Sequence, residues 1–102
     1  MVYNIFMNDK KDGLSLYEES LMEEWLAIVG MRVFAEHYFE FKQGNATLPK
    51  FSKASAKNRM IAASSLFKKG YHLAALKRIA RSSGVSHKIA SLADAIYLLE
   101  TR

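Results

Sequence analysis

Apolar side chains recur along this chain at helical spacing in several blocks, each bounded by turn or capping residues. The first block carries Leu21, Met22, Trp25, Ile28 and Val29, with Glu19, Glu23 and Glu24 between them. That is the period of an amphipathic helix. Ser15-Leu16-Tyr17-Glu18 just upstream forms a capping box, in which the serine hydroxyl takes the N3 amide and Glu18 reaches back. Gly44-Asn45 supplies a stop. The segment between, "RVFAEHYFEFK", has the β-branched and aromatic content of a strand, yet Glu36 and Glu40 stand one helical turn apart. The pattern predicts one long acidic helix over 15–43, with Gly30 as a kink or a close helix contact.

Three further helices follow. Residues Gly44 to Phe51 form a loop fixed by Pro49, the only proline. Ser52 or Ser55 caps a second helix ending near Lys69-Gly70, with Met60, Ile61, Ser64 and Phe67 as its inner face. A third runs from Tyr71 to Ser83, with Leu73, Leu76, Ile79 and Ala80 inward and Gly84 as a left-handed cap. Ser86 caps the fourth, where Ile89, Leu92, Ala93, Ile96 and Leu99 form a stripe. Short connections at Gly70 and Gly84 predict antiparallel or sharply angled neighbours. The expected fold is all-α: a compact bundle of about four helices with a long first helix and helical hairpins in the C-terminal half. Residues 1–102 read as one helical domain, with an N-terminal arm over 1–13 and a basic three-helix region over 52–100. Val2 to Phe6 reads as a short strand or an arm laid on a neighbour.

The aromatics of the first helix exceed what one buried stripe holds. Trp25, Phe34, Tyr38 and Phe41 are therefore predicted to form an interface with another chain, in a homodimer or a hetero-complex.

Charge sharpens the division into halves. The net charge is +5, but residues 1–45 hold eight acids against four Lys/Arg, and residues 46–102 hold eleven Lys/Arg against two acids. The asymmetry implies an anionic partner for the second half, or acidic-to-basic packing within or between chains.

Several classes of chemistry lack their residues. With no cysteine there is no disulfide framework, no cysteine-based zinc site and no thiol nucleophile. The three histidines, His37, His72 and His87, have no spacing that suits a metal site, so no metal and no cofactor are expected. The acid pairs Glu19/Glu23 and Glu36/Glu40 match a solvated helix face better than an acid–base pair in a cleft. No glycine-rich phosphate loop occurs. The chain is read as not an enzyme. Its start lacks a basic leader followed by a long apolar run, and no apolar run approaches a membrane span of roughly 20 residues. Together with the missing cysteines, this predicts a cytoplasmic protein with no membrane partner.

The stretch "IARSSGVSHKIASLADAIYLLE" resembles the helix-turn-helix of DNA-binding regulators over residues 76–96. Ile79, Ala80, Gly84, Val85 and Ser86 stand where that family often has an apolar residue, an alanine, the turn glycine, an apolar residue and a cap. The resemblance implies that the start of the fourth helix enters the major groove, with His87, Lys88 and Ser91 near the bases. Lys77, Arg78 and Arg81 would anchor phosphates. Lys53 and Lys57, one turn apart on the second helix, form a further basic group. Few aromatics interleave the basic residues, which favours duplex backbone contacts over single-strand stacking.

The expected function is a small intracellular nucleic-acid-binding regulator that mainly contacts the backbone of duplex DNA. The alternative is a non-catalytic helical protein-interaction module, an adaptor, chaperone or inhibitor that binds an acidic or apolar protein surface. "AASSLFKKGYHLAALKRIA" supports that alternative, because it resembles one tetratricopeptide-type helical hairpin.

Overall fold

The structure, a computed structural model, describes residues 13–102. The strand or arm predicted at residues 2–6 lies outside the described residues. Those described form six helices and no strand: α1 (Leu16–Val29), α2 (Met31–Glu36), α3 (Tyr38–Gln43), α4 (Lys53–Lys69), α5 (His72–Ala80) and α6 (His87–Thr101). No helix among them is long and apolar enough to cross a membrane.

The long helix predicted over 15–43 is three helices. Its capping box is present: Glu18 N donates to Ser15 Oγ at 3.1 Å and Ser15 N to Glu18 Oε1 at 3.0 Å. The helix then ends at Gly30, whose φ of 92° suits glycine alone. A second break falls at His37, with φ −116° and ψ 21°. The breaks have a geometric reason. At about 100° per residue, an unbroken helix would point Met22, Leu26 and Val29 roughly 120° away from Phe34, Tyr38 and Phe41. Turning the chain at Gly30 lets both sets reach one core, and all six are buried.

α1 packs along α4, and α5 along α6. The inner face of α4 is Ala62, Ala63 and Leu66; of the predicted Met60, Ile61, Ser64 and Phe67, only Phe67 packs against the core. Met60 and Ile61 are 38% and 55% exposed. Helical phase is the reason: with Ala62, Ala63 and Leu66 turned inward, Met60 and Ile61 point away from the core. On α6, Ile89, Ala93 and Ile96 are buried as the stripe predicts, while Leu92 and Leu99 remain partly exposed. α5 is shorter than predicted and buries Ala74, Ala75, Leu76 and Ile79.

The surplus of aromatics is absorbed inside the protomer. Phe34 sits 5.6 Å from Tyr38, 6.1 Å from Phe41 and 5.9 Å from Phe67, ring centre to ring centre. Edge and offset contacts of this kind add to the gain from burial. Phe34 and Tyr38 therefore present no surface to another chain, and Phe41 only an edge at one hollow. Trp25 is the exception among the four predicted interface residues. It is half-buried, stacks 6.0 Å from Tyr71 and borders an open hollow.

Candidate nucleic-acid interface

Three groups of basic side chains have different surroundings. On α5, Lys77, Arg78 and Arg81 line one small cavity of about 80 Å³ together with Leu14, Glu19 and Met22 from the α1 side. Arg78 Nε donates to Glu23 Oε2 at 2.6 Å. Lys77 lies over the Tyr97 ring at 5.4 Å. Arg81 is exposed. The acidic face of α1 thus neutralises part of the basic row of α5, and part of the charge asymmetry between the two halves is spent within the fold. Both side chains of the Arg78–Glu23 pair are more than a third exposed, so the pair contributes only about 0.2–1 kcal/mol.

The second group is the start of α6. Ser86 caps the helix by accepting from Ile89 N at 3.2 Å. His87, Lys88 and Ser91 are exposed, and Ser91 Oγ lies 3.5 Å from His87 Nε2. The connection from α5 runs from Arg81 to Ser86. Gly84 has no positive φ; among the described residues, Gly30, Gly44 and Gly70 do. The left-handed cap predicted at Gly84 is replaced by an exit through Arg81, with φ −96° and ψ 0°. A Cβ at Gly84 would meet Ser82 Oγ at 3.4 Å and Met31 Cε at 3.9 Å, both ordinary contact distances, so neither the backbone nor the space around it requires a glycine there.

The third group is the start of α4. Ser52, one of the two predicted caps, accepts from Ser55 N at 3.2 Å. Lys53 and Lys57 follow it and are exposed. Arg59 is fixed instead of free: Nη1 donates to the Val29 carbonyl at 2.7 Å, Nε to Ser55 Oγ at 3.1 Å, and the guanidinium lies 3.9 Å above the Phe51 ring. It ties the end of α1 to α4 across the Gly30 break. A hollow of about 500 Å³ is lined by Arg32, Arg59, Phe51, Ser86 and Ile89 among others. Lys53, Lys57, His87, Lys88 and Ser91 do not line that hollow, and the α5 row lies at a separate cavity, so the three basic groups are not gathered into one site.

Sequence reasoning missed a polar network at the far end of α6. Glu100 accepts from Tyr38 Oη at 2.9 Å and from Lys42 Nζ at 2.8 Å. His72 stacks on Phe67 at 4.8 Å, with its Nδ1 buried and without a hydrogen-bond partner. Burial holds the His72 pKa below the usual histidine value, Lys42 adds to that, and the Glu100 charge opposes it. Burial also raises Tyr38, helped by its bond to the Glu100 carboxylate. For Glu100, burial works upward, but the hydrogen bonds from Lys42 and Tyr38 outweigh it and hold the carboxyl below its usual range. Contacts 58 and 62 residues apart in the chain leave no local signal in the sequence. His37, by contrast, pairs with its neighbour Glu40 at 2.8 Å on the surface. Among the described residues no group of three or more His, Asp or Glu is placed to hold a metal ion.

No protein-family model, curated protein or solved structure matches the chain, so its surfaces are read from their own chemistry.

Proposed function

We propose that the protein binds nucleic acid, chiefly through phosphate contacts from the starts of α4 and α6 and the end of α5. The observation that carries this reading is that Lys53, Lys57, Arg81 and Lys88 are exposed, and none has an acidic partner among the described residues. Cations left to solvent in this way are available to displace counterions from a duplex. Lys77 and Arg78 are already engaged within the fold and play a smaller part. Base contacts from His87, Lys88 and Ser91 rest on the helix-turn-helix resemblance. Phosphate binding does not depend on it.

The test is affinity for mixed-sequence duplex DNA measured against salt. Lys53→Ala/Lys57→Ala should weaken all sequences alike and lower the salt slope by about 0.9 for each phosphate contact removed. Lys77→Ala/Arg81→Ala should lower it by about one contact, from Arg81, on the same basis. Lys88→Ala or Ser91→Ala should change preference between sequences if base edges are read. No duplex binding at low salt would remove the proposal. The protein-interaction module would then be the better reading, favoured by the large apolar side chains Ile28, Met60 and Ile61 left on the surface.

A further inference from the structure

The outer face of the α1/α4 pair combines apolar relief with divided charge. Ile61 stands 55% exposed as a ridge between two hollows of about 320 Å³ each. One hollow is walled by Trp25 and Ile28 from α1 and by Asn58, Ala62 and Ser65 from α4. The other is walled by Met60, Ser64 and Lys68, with Phe41 and Ala46 beyond. The two helices run antiparallel. Ile28 faces Asn58 and Ile61, while the end of α1 is bonded to Arg59, near the start of α4. Glu24, one turn before Ile28 on α1, is exposed, and so is Lys68, two turns after Ile61 on α4. Neither has an ion-pair partner among the described residues.

We propose that this face is the interface of a homodimer, in which the α1 of one copy lies on the α4 of the other. A two-fold axis along the helices brings Ile61 of each copy onto the Ile28/Trp25 hollow of its mate. It also carries Glu24 toward the mate's Lys68. The other two-fold in the plane of the face would lay α1 on α1 and α4 on α4, setting acid against acid and base against base. Charge therefore selects the first arrangement. The face is about 25 Å long, from helix rise, and about 20 Å wide, from helix spacing. That gives a footprint of about 500 Å² per copy, near the lower limit for a specific complex, so association should fall in the micromolar range. The predicted interface of Trp25, Phe34, Tyr38 and Phe41 is thereby replaced by one that keeps Trp25 and the edge of Phe41 but neither Phe34 nor Tyr38. The inference does not rest on nucleic-acid binding, because it is read without any.

The experiment is sedimentation of the full chain from 0.5 to about 200 μM, with circular dichroism as a check on folding. The wild type should shift from monomer to dimer across that range. Ile61→Arg, at an already exposed position, should keep the helical signal and weaken dimerisation at least tenfold. Glu24→Lys and Lys68→Glu should each weaken it several-fold, and the two together should recover to within about threefold of wild type, since opposite charges again face each other. A wild type that stays monomeric at the highest concentration, or a dimer indifferent to Ile61→Arg, would overturn the proposal. A partner of another kind would then have to cover the face. A double charge reversal no better than the single ones would overturn the α1-on-α4 arrangement.

Discussion

The cluster of Phe34, Tyr38, Phe41 and Phe67 and the strip of Ile28, Met60 and Ile61 are both apolar, yet one is enclosed and the other is left to solvent. Composition does not separate them. Two features of the backbone do. The breaks at Gly30 and His37 rotate the aromatic segment into the core. On α4 the face that carries Ala62, Ala63 and Leu66 turns inward, and the helical period then points Met60 and Ile61 outward. Excess hydrophobicity on a helix therefore predicts an interface only after the helix ends and the inward faces have been placed.

The sharpest way to break this contrast is to truncate one residue in each region. Phe34→Ala should destabilise the protein by about 3–5 kcal/mol, because Phe34 is fully buried and the rings around it close only in part over the cavity. Ile61→Ser should change stability by less than about 0.5 kcal/mol, as befits an exposed site. Urea unfolding at concentrations where the protein is monomeric gives both values. Equal losses would mean that Ile61 is packed within the protomer and that the strip is not a free surface.

How much of this was legible in the sequence follows from the range of the signals. Local ones were readable. The capping box at Ser15 and Glu18, the serine caps at Ser52 and Ser86, the stops at Gly44 and Gly70, and the Ile89/Ala93/Ile96 stripe depend on residues three or four apart. The inner face of α4 was also present, as Ala62, Ala63 and Leu66 at helical spacing. Weighting by hydrophobicity favoured the bulkier Met60 and Ile61 instead. Gly30 was visible as a kink, but the direction of the turn it makes depends on the core it turns toward. At the candidate site the cations themselves were legible. Which of them remain free was not, because Glu23 reaches Arg78 across 55 residues of chain.

The aromatic cluster should also respond to acid where the strip does not. His72 stacks on the cluster, and Glu100 bonds to Tyr38, whereas Ile28, Met60 and Ile61 carry no titratable group. The folded His72 pKa lies below its ordinary 6.5, so the unfolded chain takes up the proton first. Its contribution is complete above pH 6.5 and is lost as pH falls from there through the folded value. Glu100 is also depressed, so its contribution holds above its ordinary 4.5 and fades below that. Unfolding midpoints should thus decline in two stages on acidification. His72→Phe, which keeps a ring against Phe67, should remove the first stage and leave the second. An unchanged first stage in that variant would place the acid sensitivity elsewhere.

The smallest expected effect separates the two flanks of α1, the apolar one that faces the strip and the acidic one that faces α5. Glu23→Gln keeps a side-chain oxygen beside Arg78 but removes the charge that holds it. Both side chains of the pair are more than a third exposed, so stability should fall by no more than about 1 kcal/mol. Duplex binding should change more visibly. With Arg78 released toward phosphate, affinity should rise and the salt slope should steepen by up to about 0.9. Glu36→Gln is the matching control, since it changes the net charge equally and frees only Arg32, whose contact with Glu36 is a loose 3.8 Å on α2. If the two variants bind duplex alike, Arg78 belongs to the fold. The anionic partner would then be held by Lys53, Lys57, Arg81 and Lys88 alone, and the acidic flank of α1 would serve only to fasten α5. If Glu23→Gln binds more tightly with the steeper slope, α1 tunes the basic surface as well as supporting it.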